Sequence, residues 1–131
     1  MNKRLSVLVI DDEEGIVEFL KQWLEAQGHR VTGETNPRLA LRKIAINAYD
    51  VVLLDLIMPD ANGLSMISEI RRLRPEAAVI VISAIVDARL AVVAMKEGGM
   101  DCLPKPINLP DLERTLKSIQ RTAFSVPITI S

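Results

Sequence analysis

Four short runs in this chain that read as strands end in side chains that can do chemistry. Leu5 to Ile10 runs into Asp11-Asp12, Asp50 to Leu54 into Asp55, Ala78 to Ile82 into Ser83, and Met100 to Leu103 into Pro104-Lys105-Pro106. If these runs are strands of one parallel sheet, ligands bind outside their carboxyl ends, where strand order reverses. Three carboxylates, one hydroxyl and one ammonium would then share a rim. Three acids packed together disfavour one another's ionisation, and a divalent cation relieves the repulsion. Oxygen-only ligands point to a hard ion, and a sparse site that keeps several waters suits Mg²⁺ better than Ca²⁺. No His/Cys cluster indicates zinc; the single histidine, His29, is read as structural or exposed. The set suits phosphoryl chemistry. Mg²⁺ takes one phosphoryl oxygen, Lys105 a second and the Ser83 hydroxyl a third, which leaves Asp55 as the nucleophile that becomes an aspartyl phosphate.

Each residue also has a plainer reading. Asp11 or Asp12 can cap the next helix, Asp55 can be a turn residue, and Ser83 or Lys105 alone carries little signal. Their convergence separates the two readings.

The elements that must position these groups alternate along the chain. Strands are expected at Leu5–Ile10, His29–Glu34, Asp50–Asp55, Ala78–Ile82 and Met100–Leu103. The second is short and more polar, as an edge strand would be. The first helix begins with Glu13 and Glu14 in its first turn, carries the stripe Ile16, Phe19, Leu20, Trp23 and Leu24, and stops at Gly28. Asn36-Pro37 opens the second, with Leu39, Ala40, Ile44 and Ala45 inward. Turn residues Pro59, Asp60, Asn62 and Gly63 precede a third helix over Leu64–Leu73, with Met66, Ile67 and Ile70 inward. Asp87 caps a fourth that runs to about Glu97. Its apolar breadth, Leu90 to Met95, is read first as core burial and otherwise as a partner surface. Asn108-Leu109-Pro110 begins the last helix, with Leu112, Leu116 and Ile119 apolar. Five strands alternating with five helices make an α/β, doubly wound, parallel sheet.

Composition sets bounds. The chain has 131 residues, room for one domain with an aliphatic core. A formal net charge of -1 gives no nucleic-acid footprint. No run approaches membrane-spanning length. One cysteine, Cys102, excludes an internal disulfide and fits a cytoplasmic setting.

In order, Val9-Ile10-Asp11-Asp12-Glu13, Asp55-Leu56-Ile57-Met58-Pro59 with Asn62-Gly63, Ile82-Ser83-Ala84 and Leu103-Pro104-Lys105-Pro106 resemble the receiver domain of two-component response regulators. The resemblance runs from about Leu5 to Arg121. It implies the flavodoxin-like fold with strand order 2-1-3-4-5, a receiver over residues 1–121, and a tail or linker over 122–131. It implies Asp55 as phosphoacceptor, Asp12 as a direct Mg²⁺ ligand, Asp11 as one mainly through water, and the Ile57 backbone carbonyl as another. Ser83 would be the switch hydroxyl and Lys105 the phosphoryl contact, with Lys105–Pro106 cis. The implied partners are a sensor histidine kinase or phosphotransfer protein, and a second copy through the helix 4/strand 5/helix 5 face. The implied activity is a signalling switch that catalyses only its own phosphorylation and its slow reversal.

Two departures stand out. Cys102 occupies the place of an aromatic residue, so switching is expected through aliphatic repacking rather than an aromatic gate. Ile57 and Ile85 border the path of an attacking water and should exclude it. Three rivals remain: a haloacid-dehalogenase-like phosphatase, which needs a second acid where Ile57 stands; a nucleotide-binding module, which needs a glycine-rich loop after the first strand; and a pseudo-receiver used only for docking.

Overall fold

The computed structural model describes residues 3–59, 61–85 and 87–124, with side chains to Arg121. The strands of the main sheet are β1 (Ser6–Ile10), β2 (Arg30–Glu34), β3 (Val51–Asp55), β4 (Ala78–Ser83) and β5 (Asp101–Pro104). The helices are α1 (Glu14–Ala26), α2 (Pro37–Ile46), α3 (Gly63–Leu73), α4 (Ala88–Lys96) and α5 (Leu109–Phe124). All pairings in the sheet are parallel, and the spatial order is β2-β1-β3-β4-β5. This is the doubly wound order that the resemblance implied. A two-residue antiparallel ribbon, Ile57–Met58 with Ala61–Asn62, links β3 to α3.

Strand side chains alternate between two cores, because successive residues point to opposite faces. Val7, Val9, Val51, Leu53, Ile80 and Ile82 pack with Leu20 and Leu24 of α1 and Leu112 and Leu116 of α5. Leu8, Ile10, Val52, Leu54, Val79 and Val81 pack with Ala40 and Ile44 of α2, Ile67 and Ile70 of α3, and Ala94 of α4. Polar side chains start the helices. Asn36 accepts from the Arg38 and Leu39 N–H groups at 2.9 and 3.2 Å, and Asp87 from Leu90 N–H at 2.8 Å. Gly28, at φ 93°, ends α1 where a side chain would be strained.

Several expectations need correction. Phe19 is exposed, and Val17 takes the inward place on α1. Leu39 and Ala45 face outward on α2, with Leu41 partly packed instead. On α4 the core-burial reading fails. Ala94 is buried, whereas Val92, Val93 and Met95 are exposed. A short helix over the β4–β5 edge of the sheet turns one side inward, and among the described residues nothing covers the rest. Glu13 is the N-cap of α1, not part of its first turn. β5 begins one residue later than expected, leaving Met100 exposed. α5 continues three residues past the expected limit at Arg121, so the tail expected from Thr122 begins as helix. Asp60, Val86 and the rest of the tail lie outside the described residues. Among the described residues, no helix is long and apolar enough to cross a membrane.

Gly63 is dictated by space. A Cβ there would overlap the Leu56 carbonyl, whereas one on Gly15 in α1 would meet nothing. Gly63→Ala should therefore cost about 1–3 kcal/mol, and Gly15→Ala should stabilise by up to about 1 kcal/mol. Urea unfolding of the two variants checks both signs.

Candidate phosphoacceptor site

Register builds the site. β1 lies against β3 with Ile10 opposite Leu54, so Asp11 and Asp55 emerge side by side at the switch point between β1 and β3. Ligand oxygens of Asp11, Asp12 and Asp55 lie within 4.8 Å of one another, a trio that could hold a metal ion. Asp11 and Asp55 are 2% and 3% exposed, and Asp12 stands at the rim in solvent. Lys105, one residue past β5, reaches across from the other side. Its Nζ is 2.8 Å from Asp11 Oδ2 and 3.4 Å from Asp55 Oδ2. The Lys105–Pro106 peptide is cis.

The plainer readings of the two buried acids prove compatible with the chemical one. Asp11 Oδ1 accepts the Glu13 N–H at 2.9 Å and so shapes the start of α1. Asp55 Oδ1 accepts the Ile57 N–H at 3.2 Å. In each case the second oxygen is turned toward Lys105.

Ser83 stands apart from this group. Its Oγ donates to the Ile85 carbonyl at 3.0 Å and accepts the Ile85 N–H at 3.2 Å. No hydrogen bond joins it to the acids or to the Lys105 ammonium among the described residues. The reason is pleat parity. Asp55 lies opposite Ile82, so Ser83 follows on the other face of the sheet. One feature escaped the sequence reading. Glu13 reaches Lys105 at 3.7 Å, because as an N-cap it leans back over the rim. Ile57 and Ile85, expected to border the water path, are 51% and 61% exposed. Cys102 is a partly buried free thiol packed against the core that α2, α3 and α4 share. Burial and then Asp101 push its pKa up.

The electrostatics follow from the geometry. Burial, and then the Asp11 charge, push the Asp55 carboxyl up to about 6, against Ile57 N–H and Lys105. Burial works against the Lys105 charge, but Asp11 and Asp55 prevail and hold it above the ordinary lysine range. Oxygen donors that crowd together and resist ionisation suit a small hard cation.

The fold and this rim agree with the comparisons. The response regulator receiver domain matches residues 7–117, and the chain belongs to that family. The DNA-binding transcriptional regulator NtrC of Azospirillum brasilense is 38% identical over 117 residues, which cover 86% of this chain and 24% of that protein. A two-component response regulator from Clostridium difficile superposes with a TM-score of 0.88 at 30% identity, covering 93% of this chain and 100% of that one. A response regulator from Burkholderia pseudomallei, solved with a phosphorylated aspartic acid, a calcium ion and citrate, superposes with a TM-score of 0.81 at 27% identity, covering 93% and 74%. The chain spans 22–54% of the lengths of the curated transcriptional regulators it matches.

Between the ordinary value of 3.8 and about 6, the folded Asp55 keeps a proton that the unfolded chain has lost. Rising pH therefore disfavours the folded state through this window, by on the order of 3 kcal/mol in full. In EDTA, Asp55→Asn should be more stable than the native chain at about pH 7.5 and gain nothing at about pH 4. Mg²⁺ should stabilise the native chain more than the variant. Urea midpoints that do not diverge with pH would contradict the assignment.

Proposed function

We propose that this domain accepts a phosphoryl group on Asp55 from the phosphohistidine of a sensor histidine kinase or phosphotransfer protein, with Mg²⁺, and passes the change to an output segment or partner. One observation carries the reading: a buried carboxylate crowded by two further acids, with a single ammonium facing it. The Burkholderia relative, with its phosphorylated aspartic acid and calcium ion, supports the same use of the rim. Asp11, Asp12, Asp55 and the Ile57 backbone carbonyl would hold the ion. When bound, it supplies charge neutralisation for the phosphoryl oxygens.

The chain's own residues do the rest. The Ile57 N–H fixes the rotation of the Asp55 carboxylate. That carboxylate forms an O–P bond as the donor's P–N bond breaks, and the electron pair leaves on the imidazole nitrogen. Lys105 already faces Asp55 and turns to a phosphoryl oxygen. Ser83 reaches another only by giving up both Ile85 backbone bonds, so the segment before α4 must move with it. Val92, Val93 and Met95 on α4 are the surface that then changes partners, a second copy through the α4/β5/α5 face or an output domain. Cys102, too small to gate, leaves that repacking to aliphatic side chains. The receiver ends with α5, and the residues beyond that helix serve as a tail or linker. Its setting is cytoplasmic, in accord with the free thiol.

Incubation with acetyl phosphate and Mg²⁺ should add one phosphoryl group by intact mass, and none to Asp55→Asn. A labelled Asp55→Asn chain, or an unlabelled native one, defeats the reading. Ile57 and Ile85 should keep hydrolysis slow. Ile57→Asn should shorten the phosphate lifetime by about tenfold; an unchanged lifetime counts against water exclusion. In sedimentation velocity, beryllofluoride should promote self-association of the native chain but not of Val93→Asp. A monomer in both cases would remove the second copy as partner.

A further inference from the structure

At the opposite end of the sheet, β1 and β2 begin beside the carboxyl ends of α1 and α5. The length of β1 separates this end from the acids, about 20 Å. A cleft of about 230 Å³ opens there, and Arg4, Trp23, Gln27, His29 and Gln120 are among its lining residues. Nothing in the phosphoacceptor chemistry uses them.

His29 is the buried wall of the cleft, 6% exposed. Its Nδ1 accepts the Leu5 backbone N–H at 3.1 Å. That bond selects the neutral tautomer with its proton on Nε2. The Leu5 bond is the only hydrogen bond of the imidazole among the described residues. No fully buried side-chain nitrogen or oxygen lacks a partner there. Nε2–H is therefore not sealed in, and it meets the cleft as an unused donor.

The charges around it favour an anion. Lys3 is paired with Asp50 and Lys117 with Glu113, each at 3.2 Å. Arg4 makes no ion pair among the described residues. Its guanidinium lies close enough that, after burial, it helps hold the His29 pKa below the ordinary value. Of the carbonyls at the end of α1, which would repel an anion, those of Trp23, Leu24 and Glu25 are occupied. Gln27 N–H donates to Trp23 and Leu24, Gly28 N–H to Glu25, and His29 N–H to Leu24. Trp23 adds an indole wall.

We propose that this cleft is a second ligand site, for a small oxyanion carried on a flat apolar body. The His29 Nε2–H and the Arg4 guanidinium bind the oxygens, as a charge-assisted donor pair. The Trp23 indole takes the flat body. A carboxylate and a phosphate share this chemistry.

Trp23 is the only tryptophan in the chain, so its emission reports the cleft directly. The full chain is titrated in EDTA with phenyl phosphate and with benzoate; phenol and sodium chloride are the controls. At least one of the two anions should saturate with a midpoint below about 1 mM. The one that binds more tightly names the headgroup. Arg4→Ser, at an exposed position, should weaken it by at least about tenfold. The Leu5 amide resonance should shift with the same midpoint, and Asp55→Asn should bind as the native chain does. Three results each overturn the site: no saturation by about 10 mM, an Arg4→Ser curve that overlays the native one, or phenol or sodium chloride acting as well as the anions. Failure of this test leaves the phosphoacceptor reading untouched, because that reading is scored separately by intact mass.

Discussion

Two buried carboxylates share one ammonium, and the rest of the domain is arranged around that imbalance. Parallel pairing of β1 with β3 forces Asp11 and Asp55 together at the sheet's polar end. The adjacent Asp12 adds a third acid at the rim. Burial first, and then repulsion that Lys105 offsets only in part, make the Asp55 carboxyl resist ionisation. The fold tolerates the arrangement because two aliphatic cores below the rim hold the strand ends in place. Backbone N–H groups of Glu13 and Ile57 then fix the two carboxylates. Carboxylates held this firmly in an unfavourable electrostatic state could hold a metal ion.

The same pleat that gathers the acids keeps Ser83 away from them. Asp55 and Ser83 sit on neighbouring strands but at opposite parity, so the hydroxyl is tied to the Ile85 backbone instead. The exposed apolar side of α4 lies a few residues beyond Ile85.

Much of this was legible in the residues. Continuous apolar runs ending in Asp11-Asp12, Asp55 and Ser83 marked buried parallel strands and their polar ends. Asn36-Pro37, Asp87 and Gly28 marked helix limits for reasons of backbone chemistry, and each does what its type suggests. The errors share a cause. Phe19, Leu39 and the α4 residues are apolar at plausible helical spacing, yet which side of a helix meets the sheet depends on neighbours that a single stretch does not reveal. Glu13 looked like a first-turn acid because its reach to Lys105 crosses between elements distant in the chain.

What the sequence alone determined is the set of elements, their order and the chemistry at their ends, because side-chain periodicity and turn residues act locally. Strand register, pleat parity and the facing of each helix were decided only by the tertiary structure. They depend on pairings between segments tens of residues apart, and a shift of one residue in any of them would send Asp55 or Ser83 to the other face of the sheet.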